Sequence, residues 1–225
     1  MDKIRIIEVK KSIYSNNDLE ANENRAILKK QNTYLMNLMS SPGSGKTTML
    51  VSTIKRLKDK LKIGIVEADI DSDVDACRIQ ETGVEVNQIH NGGSCHLDAL
   101  MVRAGLEDIK SEKLDLIVVE NIGNLICPAG YDLGQNLRVM ILSVPEGDDK
   151  PLKYPKMFGC VDVLLISKID TVSVFNFDFA ALEASVKKLN PDIKIFKISA
   201  ISGEGMEQWS EFLFNKVIEW RDKNG

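Results

Sequence analysis

A chain of 225 residues with 44% hydrophobic and 28% charged side chains and a formal net charge of −4 has the composition of a globular protein that buries one substantial core. The acidic balance argues against nucleic-acid binding, which calls for a basic face, and no segment reaches the roughly 18 apolar residues that a membrane span requires. The first residues, MDKIRIIEVKK, hold no uninterrupted apolar run of the kind a secretory leader carries, so a cytoplasmic setting is expected; four cysteines in that setting read as buried thiols or metal ligands, not as a disulfide framework.

Residues 1–32 are polar and rich in Asn, Glu and Lys, with a helix expected at 18–30. They read as an N-terminal extension, packed on the main domain or partly mobile, and leave 33–225 as that domain. From there, runs rich in β-branched residues (34–39, 62–67, 114–120, 137–143, 161–167 and 193–198) alternate with helix-like stretches near 46–60, 97–109, 178–189 and 205–221. Such alternation implies an α/β fold, a mostly parallel sheet covered by helices on both faces.

The first strand runs into Ser40-Ser41-Pro42-Gly43-Ser44-Gly45-Lys46-Thr47, which matches G-x-x-x-x-G-K-S/T with Ser40 in place of the first glycine. Ser40 is a small departure, since the position needs a compact residue more than it needs glycine. The backbone N–H groups from Gly43 through Ser44, Gly45 and Thr47 to Thr48 can curl around a phosphate, and the N-terminus of the following helix adds partial positive charge. Lys46 is expected to reach the β and γ phosphates and the Thr47 hydroxyl to ligate Mg²⁺. Strand, loop and helix in this order imply the three-layer fold of P-loop nucleoside triphosphatases.

After the second strand comes the acidic run Glu67-Ala68-Asp69-Ile70-Asp71-Ser72-Asp73-Val74-Asp75, where a first switch is expected, with Asp71 and Asp73 read as solvated. The strand LDLIVVE presents Glu120, and a carboxylate there is costly unless it meets a cation or donors, so it is expected to hold Mg²⁺ through water. Gly123, three residues on, can offer its N–H to a γ-phosphate, which makes 120–130 a candidate second switch. Between these segments Cys95 and His96 are adjacent, and Cys127 stands in Ile126-Cys127-Pro128. Two thiolates and one imidazole would suit Zn²⁺ or Ni²⁺ if they converge, with a fourth ligand from water or a partner subunit; otherwise they are three unrelated loop residues. Cys77, Cys160 and His90 are expected to be buried packing residues.

Ser167-Lys168-Ile169-Asp170 follows the apolar run VDVLLI. The Asp170 carboxylate can accept from the N1–H and N2 amino groups of guanine, whereas adenine offers neither donor and leaves a buried charged acceptor unpaired, an error of about 1.5–3 kcal/mol. The Lys168 stem can lie over the purine. The usual pattern is Asn-Lys-x-Asp, so Ser167 loses a long amide contact. Ser199 and Ala200 open the loop SAISGEG after the last strand, where the Ala200 N–H can meet the guanine O6.

Taken together, SSPGSGKTT, EADIDSDVDACRIQETG, NGGSCHLDA, VVENIGNLICPAGYDLG, VPEGDDKPLKYP, SKID and the final SGEG resemble the hydrogenase nickel-incorporation GTPases (HypB), relatives of the urease nickel chaperone UreG, from about Asn32 to Trp220. The resemblance implies a GTP-hydrolysing homodimer that serves nickel-iron hydrogenase maturation, with the hydrogenase large-subunit precursor and other nickel-delivery accessory proteins as partners. It assigns Cys95, His96 and Cys127 to the metal site, and Asp69 and Asp75 to ligating Mg²⁺ or orienting the attacking water. Lys150 and Lys153 can neutralise phosphate charge from the opposite subunit, or are surface lysines. No Cys or His lies in 1–32, unlike members with a Cys- or His-rich N-terminal stretch, so the metal site is expected within the GTPase domain. Ala129 follows Cys-Pro where the urease chaperones carry His. A metal-binding or storage dimer whose nucleotide controls association without required turnover is the alternative from another class. No strong general base is visible, so turnover is expected to be slow. Cys127 stands four residues beyond Gly123, so a γ-phosphate that orders 120–123 is expected to constrain the thiolate as well.

Overall fold

The computed structural model describes residues 9–69, 74–90 and 92–224, without the side chains of residues 9–14 and of Asp69. Its elements in chain order are α1 (Val9–Gln31), β1 (Tyr34–Ser40), α2 (Lys46–Leu57), β2 (Ile63–Asp69), α3 (Val74–Gln80), β3 (Glu85–His90), α4 (Ala99–Asp108), β4 (Leu116–Gly123), β5 (Leu137–Ser143), α5 (Lys150–Lys153), α6 (Pro155–Cys160), β6 (Val163–Ser167), α7 (Phe179–Leu189), β7 (Lys194–Lys197) and α8 (Met206–Asn224). The strands form one sheet in the order β3-β2-β4-β1-β5-β6-β7, and every pairing is parallel. Strands β1, β4, β5 and β6 are apolar on both faces because helices cover both, which is why they read as unbroken hydrophobic runs.

Successive side chains of a strand point to opposite faces, so each strand feeds two cores. Met36 and Leu38 of β1 join Met49, Ile54, Trp209 and Leu213 of α2 and α8 on one face. Leu35 packs on the other face with Leu28 of α1 and Val102 and Leu106 of α4, while Met39 meets the α6 and α7 side. β1 lies at the centre, between β4 and β5. In such a sheet ligands gather outside the carboxyl ends of the central strands, where the strand order reverses.

Several expectations need correction. The sheet has a seventh strand, β3, which the apolar-run criterion passes over because EVNQIH is an edge strand with alternating polar residues and partial exposure. The helix expected at 18–30 belongs to the longer α1, and its described part packs against α4 and β1. Cys77 and His90 are exposed, not buried: α3 buries only Ile79, and His90 ends the edge strand. Cys160 is half-buried, and burial pushes its thiol pKa up. Asp71 and Asp73 lie outside the described residues.

Trp209 is fully buried, and its indole N–H donates to Thr53 Oγ1 at 3.0 Å, tying α8 to α2. Trp209→Ala is expected to lower the unfolding free energy by about 3–5 kcal/mol. Trp209→Phe should cost less, because a ring remains and only the hydrogen bond and part of the contact are lost; urea titration followed by circular dichroism checks both.

Candidate functional site

The loop between β1 and α2 turns through Gly43 (φ 74°) and Gly45 (φ 90°), and Gly45 caps α2 so that Lys46 begins the helix. Thr47 is buried, and its hydroxyl donates to Glu120 Oε1 at 2.9 Å. Ser40 pairs with Gly123 at the ends of β1 and β4. A Cβ on Gly123 would stand 2.9 Å from Pro42 N and 3.0 Å from Pro42 Cα, so only glycine lets β4 close against the loop. Glu146, which caps its own turn through Ser143, also accepts a short hydrogen bond from Ser41.

A cavity of about 270 Å³ opens beside this contact and is lined by Pro42, Gly43, Lys46, Glu67, Ala68, Asp75, Glu120, Ile122 and Gly123. Five residues of the expected phosphate and Mg²⁺ set, Gly43, Lys46, Asp75, Glu120 and Gly123, thus share one space, with Thr47 touching it through Glu120. Asp75 also pairs with Arg78 at 3.5 Å. Glu67 is the member that the sequence reading passes over: it is buried and pairs in register with Glu120 on the neighbouring strand. The signal was the same as for Glu120, an acid near the end of an apolar strand. Magnesium takes oxygen ligands at about 2.0–2.1 Å, which puts adjacent octahedral ligands about 2.9 Å apart. The Thr47 and Glu120 oxygens are hydrogen-bonded to each other, and with Glu67 and Asp75 on the same cavity they form the all-oxygen donor set that this ion takes, so the chemistry of the residues present fits it.

A second cavity, of about 120 Å³, lies on the other side of the loop against Ser44, Gly45, Thr48, Met49, Lys168, Asp170, Ala200 and Ile201. Lys168 adopts φ 58° and donates to Gly43 O at 2.7 Å, which lays its stem along the cavity. Ser167 is buried and donates to Ser44 O at 2.8 Å, so the serine that departs from the usual asparagine still holds the phosphate loop. Asp170 is exposed in the chain alone, so the penalty for an unpaired acceptor arises only once a base covers it. Ser199 is fully buried and accepts from Ser202 N at 3.1 Å, which makes it a brace for the loop that presents Ala200.

The ligand atoms of Cys95, His96 and Cys127 all lie within 4.8 Å of one another. The two sulfurs are 2.7 Å apart, and Cys95 Sγ is 3.6 Å from His96 Nδ1. A tetrahedral ion with Zn–S near 2.3 Å and Zn–N near 2.0 Å spaces its ligands by about 3.5–3.8 Å, so small side-chain movements would accommodate it. His96 stacks on Tyr131 with centroids 3.8 Å apart. Asn124, also missed in the sequence, joins the two loops: its Nδ2 donates to Cys95 O at 3.3 Å, and its Oδ1 accepts from Ile126 N at 2.8 Å and Cys127 N at 3.3 Å. Asp98 caps α4 by accepting from Met101 N, which fixes where the Cys95-His96 loop ends.

Lys150 and Lys153 line neither cavity. Lys150 lies 5.8 Å from the Tyr154 ring centre, and Lys153 pairs with Asp149 at 2.5 Å on the exposed α5. Asp69 ends β2, and its side chain lies outside the description.

A parallel sheet with a phosphate-type loop, a strand-borne carboxylate and a base-edge cavity defines the class as a P-loop nucleotide hydrolase, here with a Cys, His, Cys cluster in the same domain. Residues 34–197 match the family described as CobW/HypB/UreG, nucleotide-binding domain. The chain belongs to this family, and within it to the HypB hydrogenase maturation factors. It is 46% identical over 213 residues to the hydrogenase maturation factor HypB of Rhizobium leguminosarum bv. viciae, covering 95% of this chain and 71% of that one. The hydrogenase/urease maturation factor HypB of Helicobacter pylori is 42% identical, with 95% and 89% covered. A crystal structure of HypB from Helicobacter pylori in complex with nickel superposes with a TM-score of 0.85 at 43% identity, covering 91% of this chain and 96% of that one.

Protonation at the cluster sets a pH dependence. A hydrogen bond with Cys127, then burial, pushes the Cys95 thiol pKa up, whereas burial pulls the His96 imidazole below its ordinary value against a smaller opposing effect of Asp98. Thiolates must form to bind metal, so binding expels a proton from Cys95 at neutral pH, while the imidazole is already neutral there. Zn²⁺ or Ni²⁺ affinity is therefore expected to rise from pH 6.5 to 8.5 with net proton release, read by an indicator in weakly buffered solution.

Proposed function

We propose that the chain is a GTP-hydrolysing metallochaperone that binds nickel or zinc and assists nickel insertion during nickel-iron hydrogenase maturation, acting in the cytoplasm as a homodimer. The names of its relatives and the nickel complex of one of them support this reading. The single observation that carries it is the closeness of the two sites along one strand end: Gly123 packs on Pro42 of the phosphate loop, and Cys127 follows four residues later. Residues 33–225 act as the GTPase domain, and residues 1–32 as an extension.

In this reading Gly43 to Thr48 cradle the phosphates and Lys46 offsets the β and γ charge. Thr47 and Glu120, with Glu67 and Asp75 lining the same cavity, would hold Mg²⁺ directly or through water. When bound, the ion would supply positive charge that offsets the charge developing on the phosphates. Asp170 reads the guanine edge, Lys168 covers its face, and the Ser199-Ala200 loop closes over it. Gly123 would sense the γ-phosphate, and Asp69 or Asp75 would ligate the ion or orient the attacking water. Lys150 and Lys153 act only if the partner subunit brings them over the phosphates. Nickel or zinc is the cargo, held by Cys95, His96 and Cys127, with a remaining ligand from water or the second subunit. The clients are the hydrogenase large-subunit precursor and other nickel-delivery proteins.

GTP is expected to bind far more tightly than ATP, and Asp170→Asn should erode that preference, because a mixed donor and acceptor suits xanthine better than guanine. Competition binding decides it; equal affinity in the unmodified protein would remove the guanine assignment.

Binding energies shared between two sites are reciprocal, so a GTP analogue should raise both dimer fraction and metal occupancy relative to GDP, and metal should favour the dimer in return. Replacing Cys95 and Cys127 together by alanine should remove the metal response while sparing nucleotide affinity. Sedimentation with each nucleotide, with and without Ni²⁺ or Zn²⁺, tests this; identical metal affinity in both nucleotide states would sink the coupling.

A further inference from the structure

The metal cluster sits on two loops, and neither belongs to the sheet. One leads from His96 into α4, and the other from Cys127 through Tyr131 to Gly134. The α1 helix bonds the second loop and the start of α4, where the first loop ends. Asn24 is fully buried, and its amide donates to Ala99 O at 2.8 Å, at the start of α4 where the first loop ends, and to Leu133 O of the second loop at 3.1 Å. Its own oxygen accepts from Arg103 Nε at 3.0 Å, so every polar atom of the side chain is used. Two turns earlier on the helix, Asn17 repeats the pattern: it donates to Asp132 O at 2.8 Å and accepts from Ala99 N at 2.9 Å.

A glycine on the far side of the contact points the same way. Gly134 has φ 86°, and a Cβ there would stand 2.6 Å from Ala21 O and 2.7 Å from Asn24 Cβ. The second loop therefore lies directly on the α1 backbone, and no larger residue fits. Arg25 adds a short ion pair to Asp132 at the rim.

We propose that Asn17 and Asn24 are positioning residues of the metal site, and that α1 is a strap holding the Cys95-His96 loop and the Cys127 loop at the spacing the ion requires. This rests on the assignment of the metal to Cys95, His96 and Cys127. Each asparagine bonds the first residue of α4, which anchors the end of the Cys95-His96 loop, and the Cys127 loop at once, so its loss frees the two loops relative to each other without touching any ligand atom. The phosphate and base cavities are lined from the ends of β1, β2, β4, β6 and β7 and include none of these residues, so nucleotide affinity measured without metal does not depend on the strap.

The test uses the full chain with asparagines 17 and 24 both changed to alanine, and separately Gly134→Ala, which attacks the same contact from the opposite loop. Ni²⁺ affinity is measured by competition with a chromophoric chelator, and the thiolate-to-nickel charge-transfer band is recorded. Affinity for a GTP analogue and the melting temperature are followed alongside. The expected result is a loss of Ni²⁺ affinity of about 10–100-fold with a shifted or weakened band, as for residues that orient metal ligands, while analogue affinity stays within about twofold. Single Asn17→Ala should give an intermediate loss. Unchanged Ni²⁺ affinity and band in both variants would overturn the proposal, and so would parallel losses of metal and nucleotide affinity, which mean general unfolding. Cys95→Ala with Cys127→Ala in the same assay separates the two readings: if that variant still binds Ni²⁺ normally, the ligand assignment has failed, whereas its loss beside intact asparagine variants defeats the strap alone.

Discussion

The site depends on one contact, the end of β4 pressed against the loop that follows β1. Adjacent parallel strands run about 4.8 Å apart, so a loop leaving one strand necessarily stands over the end of its neighbour. Here the missing side chain of Gly123 is the space that Pro42 occupies, and the Thr47 to Glu120 hydrogen bond closes the same junction from the helix side. In the proposed function, a phosphate held by the loop would press on 120–123 through these contacts. Replacing either the glycine or the close register would separate the two.

From that junction the chain passes to the metal cluster within one short loop. Asn124 follows Gly123 directly and hydrogen-bonds the backbone of both Cys95 and Cys127, so one side chain links the end of β4 to both loops of the cluster. The ligands themselves stand on partly exposed turns instead of buried strands. If the cluster carries an ion as cargo, as proposed, that placement suits it, since rigid burial would slow exchange. The opposing demand, that three donors converge, falls on side chains around the turns: Asp98 at the start of α4, Tyr131 stacked on His96, and the asparagines of α1.

The two departures from usual motifs turn out to be conservative in physical terms. Ser40 is fully buried at the point where β1 meets Gly123, where compactness matters and flexibility does not. Ser167 is too short to bond a base as an asparagine does, yet its hydroxyl supports the phosphate loop at Ser44. The loop's brace survives, and in the proposed function the base would be read by Asp170 and the Ala200 loop.

What could be read from the sequence was whatever is local or strongly periodic. The strand, loop and helix at residues 34–57, the central apolar strands and the Asp170 tetrapeptide are legible because backbone geometry and hydrophobic period act over a few residues. The exposed edge strand β3 and the exposure of Cys77 and His90 were not, because a residue's burial at a sheet edge depends on what fails to cover it. Glu67 was quoted within an acidic run but became a partner of Glu120 only through the β2 to β4 register. The convergence of Cys95, His96 and Cys127 stood open in the residues themselves, since adjacency of two letters does not bring in a third 31 residues beyond His96; crossover connections of the parallel sheet bring it there. The roles of Asn17, Asn24 and Gly134 had no local signature at all, for an asparagine in a polar helix looks solvated until the fold lays two loops across it.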